Sequence, residues 1–303
     1  MGTGLEGRVV LVTGGGRGIG REHALLMASH GAHVVVNDLG AGSDGSGSDT
    51  TAAEEVANEI VAAGGRAIAN MENVASFDGA RNMVRQAVEV FGDLHAVVNN
   101  AGILRDRMLV SMSEEEFDAV IGVHLKGTFC VSHWAADYWR EQSKTGRDMH
   151  RSIVNTSSGA GLHGNPGQTN YAAAKAGIAA MTLVNAAELE RYGVRVNCIA
   201  PIARTRLTMQ TPGMDKIMGK SVFDPENISP LVAYLAGANC DFNGQVFSVY
   251  GGSVGIYQGW SIAQEVESED RWTVESLTQA VTGLPRSVKV NSQMGAIARI
   301  ARS

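Results

Sequence analysis

The amino-acid sequence predicts an α/β protein: a doubly wound parallel sheet of about seven strands with helices on both faces, followed by a C-terminal extension. Three observations carry this reading. Short apolar, β-branched runs alternate with stretches of helical spacing, the pattern that right-handed crossovers turn into a parallel sheet buried on both faces. The first run opens into Gly14-Gly15-Gly16-Arg17-Gly18-Ile19-Gly20 and then directly into a helix. The alternation stops at Gly251-Gly252, well before the end of the 303-residue chain. Residues 1–255 therefore read as one domain, and 256–303 as an extension that packs on the body or on a neighbouring subunit.

Taken in order, residues 8–13 form the first strand, and the glycine cluster follows. Glycines are required there because a pyrophosphate must reach backbone N–H groups at a helix N-terminus, which side chains would block. This makes the domain Rossmann-type, with Gly14, Gly16, Arg17, Gly18, Ile19 and Gly20 at the nucleotide. Helical spacing of Ala24, Leu25 and Ala28 marks the first helix, and residues 32–37 the second strand. Asp38, with Leu39 beside it, ends that strand where a carboxylate accepts hydrogen bonds from ribose hydroxyls and repels a 2′-phosphate. No lysine or arginine stands between Asn37 and Asp49, so NAD is expected rather than NADP. Residues 40–48, all glycine, serine, alanine and aspartate, have little to bury and predict a mobile loop.

A helix over 51–63 is stopped by Gly64-Gly65, and 67–71 is the third strand. Residues 76–91 form a helix, 95–99 the fourth strand, and 117–138 a long helix. The fifth strand, 153–156, delivers Ser158. A helix over 171–192 is broken only by Gly177, and residues 194–199 and 245–249 complete the sheet, with a short helix at 229–236 between them. Residues 206–223, rich in methionine, glycine and threonine, have the composition of a flexible substrate lid. Beyond the sheet, 273–283 can form a helix, and 286–303 holds four basic residues and no acid.

The chemistry is concentrated at Ser158, Tyr171 and Lys175. Spacing of four puts Tyr171 and Lys175 on one helix face. A phenol becomes a useful base near neutrality only if its pKa falls by ~3 units, about 4 kcal/mol, and a neighbouring ammonium supplies much of that. The Ser158 hydroxyl can hydrogen-bond a substrate oxygen.

Ser158, Tyr171-x-x-x-Lys175 and the spacing Gly14-x-x-x-Gly18-x-Gly20 together resemble the short-chain dehydrogenase/reductase family. So does Asn99-Asn100-Ala101-Gly102. The resemblance covers roughly residues 5–260. It implies that Asn73 and Val74 hold the adenine edge, that Asn100, Ala101 and Gly102 floor the cofactor pocket, and that Pro201, Ile202 and Thr205 lie by the nicotinamide. It implies that Ser158 orients the substrate oxygen, Tyr171 exchanges its proton, and Lys175 lowers the tyrosine pKa while bonding the nicotinamide ribose. It also implies subunit contacts through the long helix, hence a homodimer or homotetramer. Two departures stand out: Ala200-Pro201-Ile202 replaces a usual Pro-Gly, and His124 stands where the family commonly has asparagine, making it a candidate catalytic residue in a proton relay. Val34-Val35-Val36-Asn37-Asp38-Leu39-Gly40 and His124-Leu125-x-Gly127 resemble the (R)-3-hydroxyacyl-CoA dehydrogenase subgroup found in type 2 peroxisomal multifunctional enzymes. That subgroup implies NAD-dependent oxidation of a secondary alcohol, with 3-hydroxyacyl-CoA or a steroid-derived molecule as small-molecule substrate. A 3-oxoacyl carrier-protein reductase, a hydroxysteroid dehydrogenase and a catalytically silent NAD-binding regulator are the alternatives.

Bulk properties exclude other classes. A net charge of −6 and a pI near 5.8 argue against nucleic acid or an anionic membrane as partner. Three widely spaced cysteines fit neither a disulfide framework nor a zinc site, and the histidines show no metal-ligand spacing, so no metal is expected. No apolar run reaches the ~18 residues of a membrane span. The first strand starts too early to leave room for a signal peptide, so the cytoplasm is the expected compartment.

Overall fold

The structure, a computed structural model, describes residues 2–47, 49, 51–146, 150–210 and 218–285. Its centre is one sheet of strands β1 (Val9–Thr13), β2 (His33–Asn37), β3 (Arg66–Asn70), β4 (Ala96–Asn99), β5 (Arg151–Thr156), β6 (Val194–Pro201), β7 (Val246–Tyr250) and β8 (Ser253–Ile256). Their order is β3-β2-β1-β4-β5-β6-β7-β8. All pairs are parallel except the last. The sheet thus has eight strands where about seven were expected. Gly251-Gly252 turns the chain back into β8 instead of ending the sheet, so the body runs to Ile256.

Both faces are covered, which explains the unbroken apolar runs. Val10, Val12, Val34 and Val36 pack against helices α1 (Gly18–Ser29) and α2 (Thr51–Ala62), while Val9, Leu11 and Val35 pack against α3 (Phe77–Phe91). Strand order reverses between β1 and β4, and the crevice above such a reversal is where open α/β sheets bind ligands.

The expected long helix after β4 is three pieces: α4 (Glu114–Ile121), a π-helical turn (Gly122–Lys126) and α5 (Gly127–Ser143). Such turns insert one extra residue per turn and re-aim side chains, and here the turn carries His124. A short helix absent from the sequence reading, α6 (Gly159–His163), begins on Ser158. Next comes α7 (Thr169–Leu189), which starts before Tyr171; Gly177 lets it pass within contact of Leu125. The last helices are α8 (Ser229–Ala236) and α9 (Val274–Val281).

One expectation needs correction here. Met218 and Phe223 are fully buried with Ile202, so the far end of the lid segment is anchored in the core; residues 211–217 lie outside the described residues. The extension starts against the body, where Tyr257 N donates to Val246 O at 2.8 Å and its ring lies 5.6 Å from that of His163, while Trp260 is 98% exposed. The basic stretch 286–303 lies outside the described residues.

Candidate active site

A cleft of about 600 Å³ runs over the strand ends from Asp38 and Val74 to Ser158, Tyr171 and Lys175. At its first end the glycine turn is held by neighbours that leave no room for side chains. Gly14 and Gly18 have positive φ, and a Cβ on Gly14 would stand 2.8 Å from Ala101 Cα. Gly20 is stricter: its Cβ would lie 2.1 Å from the Gly14 carbonyl oxygen. Gly16 and Gly20 do not line the cleft but shape the turn that does. The Asp38 carboxylate accepts from Gly16 N at 2.9 Å and Gly40 N at 2.8 Å, which fixes it at the cleft edge. Asn100 donates through Nδ2 to the Thr13 and Gly14 carbonyls, both at 3.2 Å, tying the β4 end to the turn.

This end fits a dinucleotide on its own geometry. Exposed turn amides, a bare helix N-terminus without a capping side chain, and a fixed carboxylate next to it are what a pyrophosphate and a ribose require. Thr205 reaches over Gly18 from the opposite wall, 3.8 Å from where a Cβ would be. Of the residues named from sequence for the cofactor, Pro201 and Thr205 line the cleft, and the Ile202 side chain points into the core with Met218 and Phe223. Alternation along the extended backbone sends neighbours to opposite sides.

Arg17, named from sequence for the nucleotide, also brings a base to the end of the cleft that holds Asp38. Arg17, from the glycine turn, lines the cleft and pairs with Asp49 at 2.7 Å. Because the two are far apart in sequence, a search for bases beside Asp38 along the chain does not find it.

At the catalytic end, burial dominates. Lys175 is buried and donates to the Thr156 carbonyl at 2.6 Å, its ammonium 5.6 Å from the Tyr171 ring centroid. Loss of water lowers its pKa to about 8, against a smaller opposing pull from Cys198. Burial pushes the Tyr171 phenol up; the Ser158 hydroxyl pulls the other way and the Asp106 carboxylate adds to the rise. In the protein alone, desolvation of the phenolate sets the direction of the shift. Ser158 caps α6, accepting from Ala160 N at 3.2 Å, and Ser157 bonds the Lys175 carbonyl at 2.7 Å, joining the β5 end to α7.

His124 is 2% exposed and lies edge-on to Tyr171, ring centroids 5.2 Å apart. Its Nε2 lies 2.8 Å from Ile103 O and 3.1 Å from Ile103 N, while Nδ1 is buried with no hydrogen-bond partner among the described residues. Burial, reinforced by the Lys175 charge, lowers its pKa to about 3. The ring is thus neutral, not poised near 6.5, and it ends on Ile103 rather than on Lys175. Gly102 makes room for it, since a Cβ there would be 2.4 Å from His124 Cε1.

Comparison with known proteins agrees with this geometry. Residues 8–215 match the family model for short chain dehydrogenase. The hydroxyacyl-CoA dehydrogenase ChsB1 of Mycobacterium tuberculosis is 45% identical over 258 residues, 83% of this chain and 80% of that protein. Peroxisomal multifunctional enzyme type 2 of Mus musculus is 41% identical over 250 residues, 82% of this chain but only 32% of that longer enzyme. The crystal structure of a short chain dehydrogenase from Mycobacterium avium has a TM-score of 0.82 at 48% identity, over 95% of this chain and 99% of that one. The chain belongs to the short chain dehydrogenase family, as an oxidoreductase that acts on CH–OH groups with a nicotinamide cofactor.

Proposed function

We propose that the chain oxidises the secondary alcohol of a 3-hydroxyacyl-CoA to the ketone, with NAD as acceptor. The observation that carries this reading is the pairing, in one cleft, of a fixed Asp38 carboxylate with the Ser158, Tyr171 and Lys175 group. The substrate class is supported by the names of relatives that span most of this chain.

In this reading Ser158 holds the substrate oxygen, and the alcohol proton passes to the Tyr171 oxygen; in reduction it returns from there. Bound NAD supplies the hydride acceptor and a positive ring that favours the phenolate. Lys175 adds a second positive charge from below, held in place by the Thr156 carbonyl. His124 serves as a neutral part of the path by which the proton leaves. The partner is a second copy of the chain, in a homodimer or homotetramer, and the largely exposed residues 258–285 of the extension pack there. The compartment is the cytoplasm; no helix among the described residues is long and apolar enough to cross a membrane.

A second reading rests on Arg17. A guanidinium beside the ribose site could accept a 2′-phosphate, and the 3-oxoacyl-[acyl-carrier-protein] reductase FabG of Thermotoga maritima is 36% identical over 258 residues, 99% of its length. Asp49, which already neutralises Arg17, favours NAD. The test is turnover of 3-hydroxyacyl-CoA thioesters, 3-oxoacyl carrier-protein thioesters and hydroxysteroids with each cofactor. Oxidation of the CoA thioesters with NAD is expected; turnover confined to carrier-protein thioesters with NADPH, or to steroids, would overturn it.

A further inference from the structure

Residues 40–47, expected to be mobile, are instead folded and tied across the cleft. Their root is closed by Asp49 N donating to Gly40 O at 3.0 Å, so tightly that a Cβ on Gly40 would collide with the Asp49 carbonyl. Their tip is a compact turn. Gly42 N donates to Ser46 O at 2.7 Å, and Asp44 Oδ1 accepts from Ser46 N at 3.0 Å and Ser46 Oγ at 2.6 Å. That tip reaches the far rim, where Leu104 N donates to Ser43 O at 2.9 Å and Arg105 Nε to Asp44 O at 2.8 Å. Gly45 rests on Ile103, leaving no space for a Cβ.

The path of this segment follows from the sheet. It starts at the end of β2 and is tied beyond the end of β4, and in the sheet β1 lies between those two strands. The end of β1 is where the glycine turn receives the pyrophosphate. A segment joining β2 to the chain beyond β4 therefore crosses that place, and Ala41, Gly42, Ser43 and Gly45 do line the same cleft as Gly14 and Gly18.

We propose that residues 40–47 are a clasp of the cofactor site, closing over the adenosine half of a bound nicotinamide dinucleotide and latched by Arg105. This rests on the reading of the cleft as a dinucleotide site. The dinucleotide passes between the glycine turn and the clasp, so the clasp must open for it to leave. The latch is built to release: its hydrogen bonds run from the far rim to carbonyls of a turn that is already closed on itself, so they can break without unfolding the turn. A segment of this kind acts mainly on the rate of release, because opening is needed at every departure. The far anchor also touches the catalytic end, since Ile103 brackets the His124 ring that lies against Tyr171.

The experiment is stopped-flow measurement of NADH dissociation by fluorescence, which needs no substrate. Two variants are compared with wild type: Arg105→Ala, which removes the side-chain latch, and deletion of residues 43–45, which removes the tip that the latch holds. Each should raise the dissociation rate by about ten-fold, and the dissociation constant by less, because entry also becomes easier. Combining them should add nothing beyond the deletion, since both act through one latch. Dissociation within two-fold of wild type in the deletion variant overturns the clasp. Additive effects place Arg105 on the cofactor itself and overturn its role as latch. If the deletion does not fold, Arg105→Ala decides alone by the same two-fold criterion. Failure of wild type to bind either NADH or NADPH overturns the dinucleotide reading and the clasp with it, whereas normal binding with unchanged release overturns the clasp only.

Discussion

At the dinucleotide end of the cleft the chain withholds side chains, whereas at the catalytic end it buries polar ones. Gly14, Gly18 and Gly20 leave backbone amides bare, and the Asp38 carboxylate is held by amide donors at the surface of the turn. Across the cleft, Lys175 and His124 are almost fully buried and Tyr171 is raised in pKa by the same loss of water. The first arrangement is at ease without its ligand. The second is not, because each buried polar group has its charged form disfavoured until a charged or hydrogen-bonding ligand arrives. Binding and chemistry should therefore respond separately to substitution.

The sharpest test of that separation is Tyr171→Phe. It removes only the hydroxyl, so turnover should fall by roughly 10²-fold or more while NADH binding, followed by fluorescence, stays near wild type. Loss of both together would mean that the two ends are not independent.

Lys175→Met should also lose about 10²-fold or more in turnover, yet at pH 7 its melting temperature should equal or exceed that of wild type. The sign follows from a folded pKa of about 8 against an ordinary 10.5. Below about pH 8 the folded chain must keep a poorly solvated ammonium charged, which costs stability; that cost fades as pH rises from 8 towards 10.5. The stability gap between variant and wild type should narrow over that interval. A gap that widens there would break the assignment of burial as the cause.

On the dinucleotide side, Asp38→Ala combined with Leu39→Arg should move preference towards NADP by about ten-fold, on the order of 1.4 kcal/mol, through binding and not through the chemical step. Unchanged preference would remove Asp38 from the ribose.

The smallest effect is expected at His124. His124→Ala should slow turnover by up to about ten-fold, less than Tyr171→Phe because water can stand in for the ring, and His124→Asn should recover much of it. With its pKa near 3, His124 stays neutral, so the pH–rate profile between pH 5 and 9 should carry no limb that the alanine variant lacks. A limb near 6.5 present only in wild type would contradict its burial.

Features set by neighbours along the chain were legible in the sequence alone. A strand, a glycine turn and a helix in succession make a phosphate cradle; a tyrosine and a lysine four apart share a helix face; an acid after the second strand stands at the edge of the cleft. Each depends on local geometry that any fold of this type repeats. What only the tertiary structure decided involves partners remote in sequence. The π turn that aims His124 at Tyr171, the turning of Ile202 into the core, the pairing of Arg17 with Asp49 and the tie between residues 40–47 and Arg105 all depend on register between distant segments. The pKa directions belong there too, because loss of water depends on everything packed around a group. Tyr171 and Lys175 could be named from their spacing, but how far each is held from its ordinary charge state is a property of the folded interior.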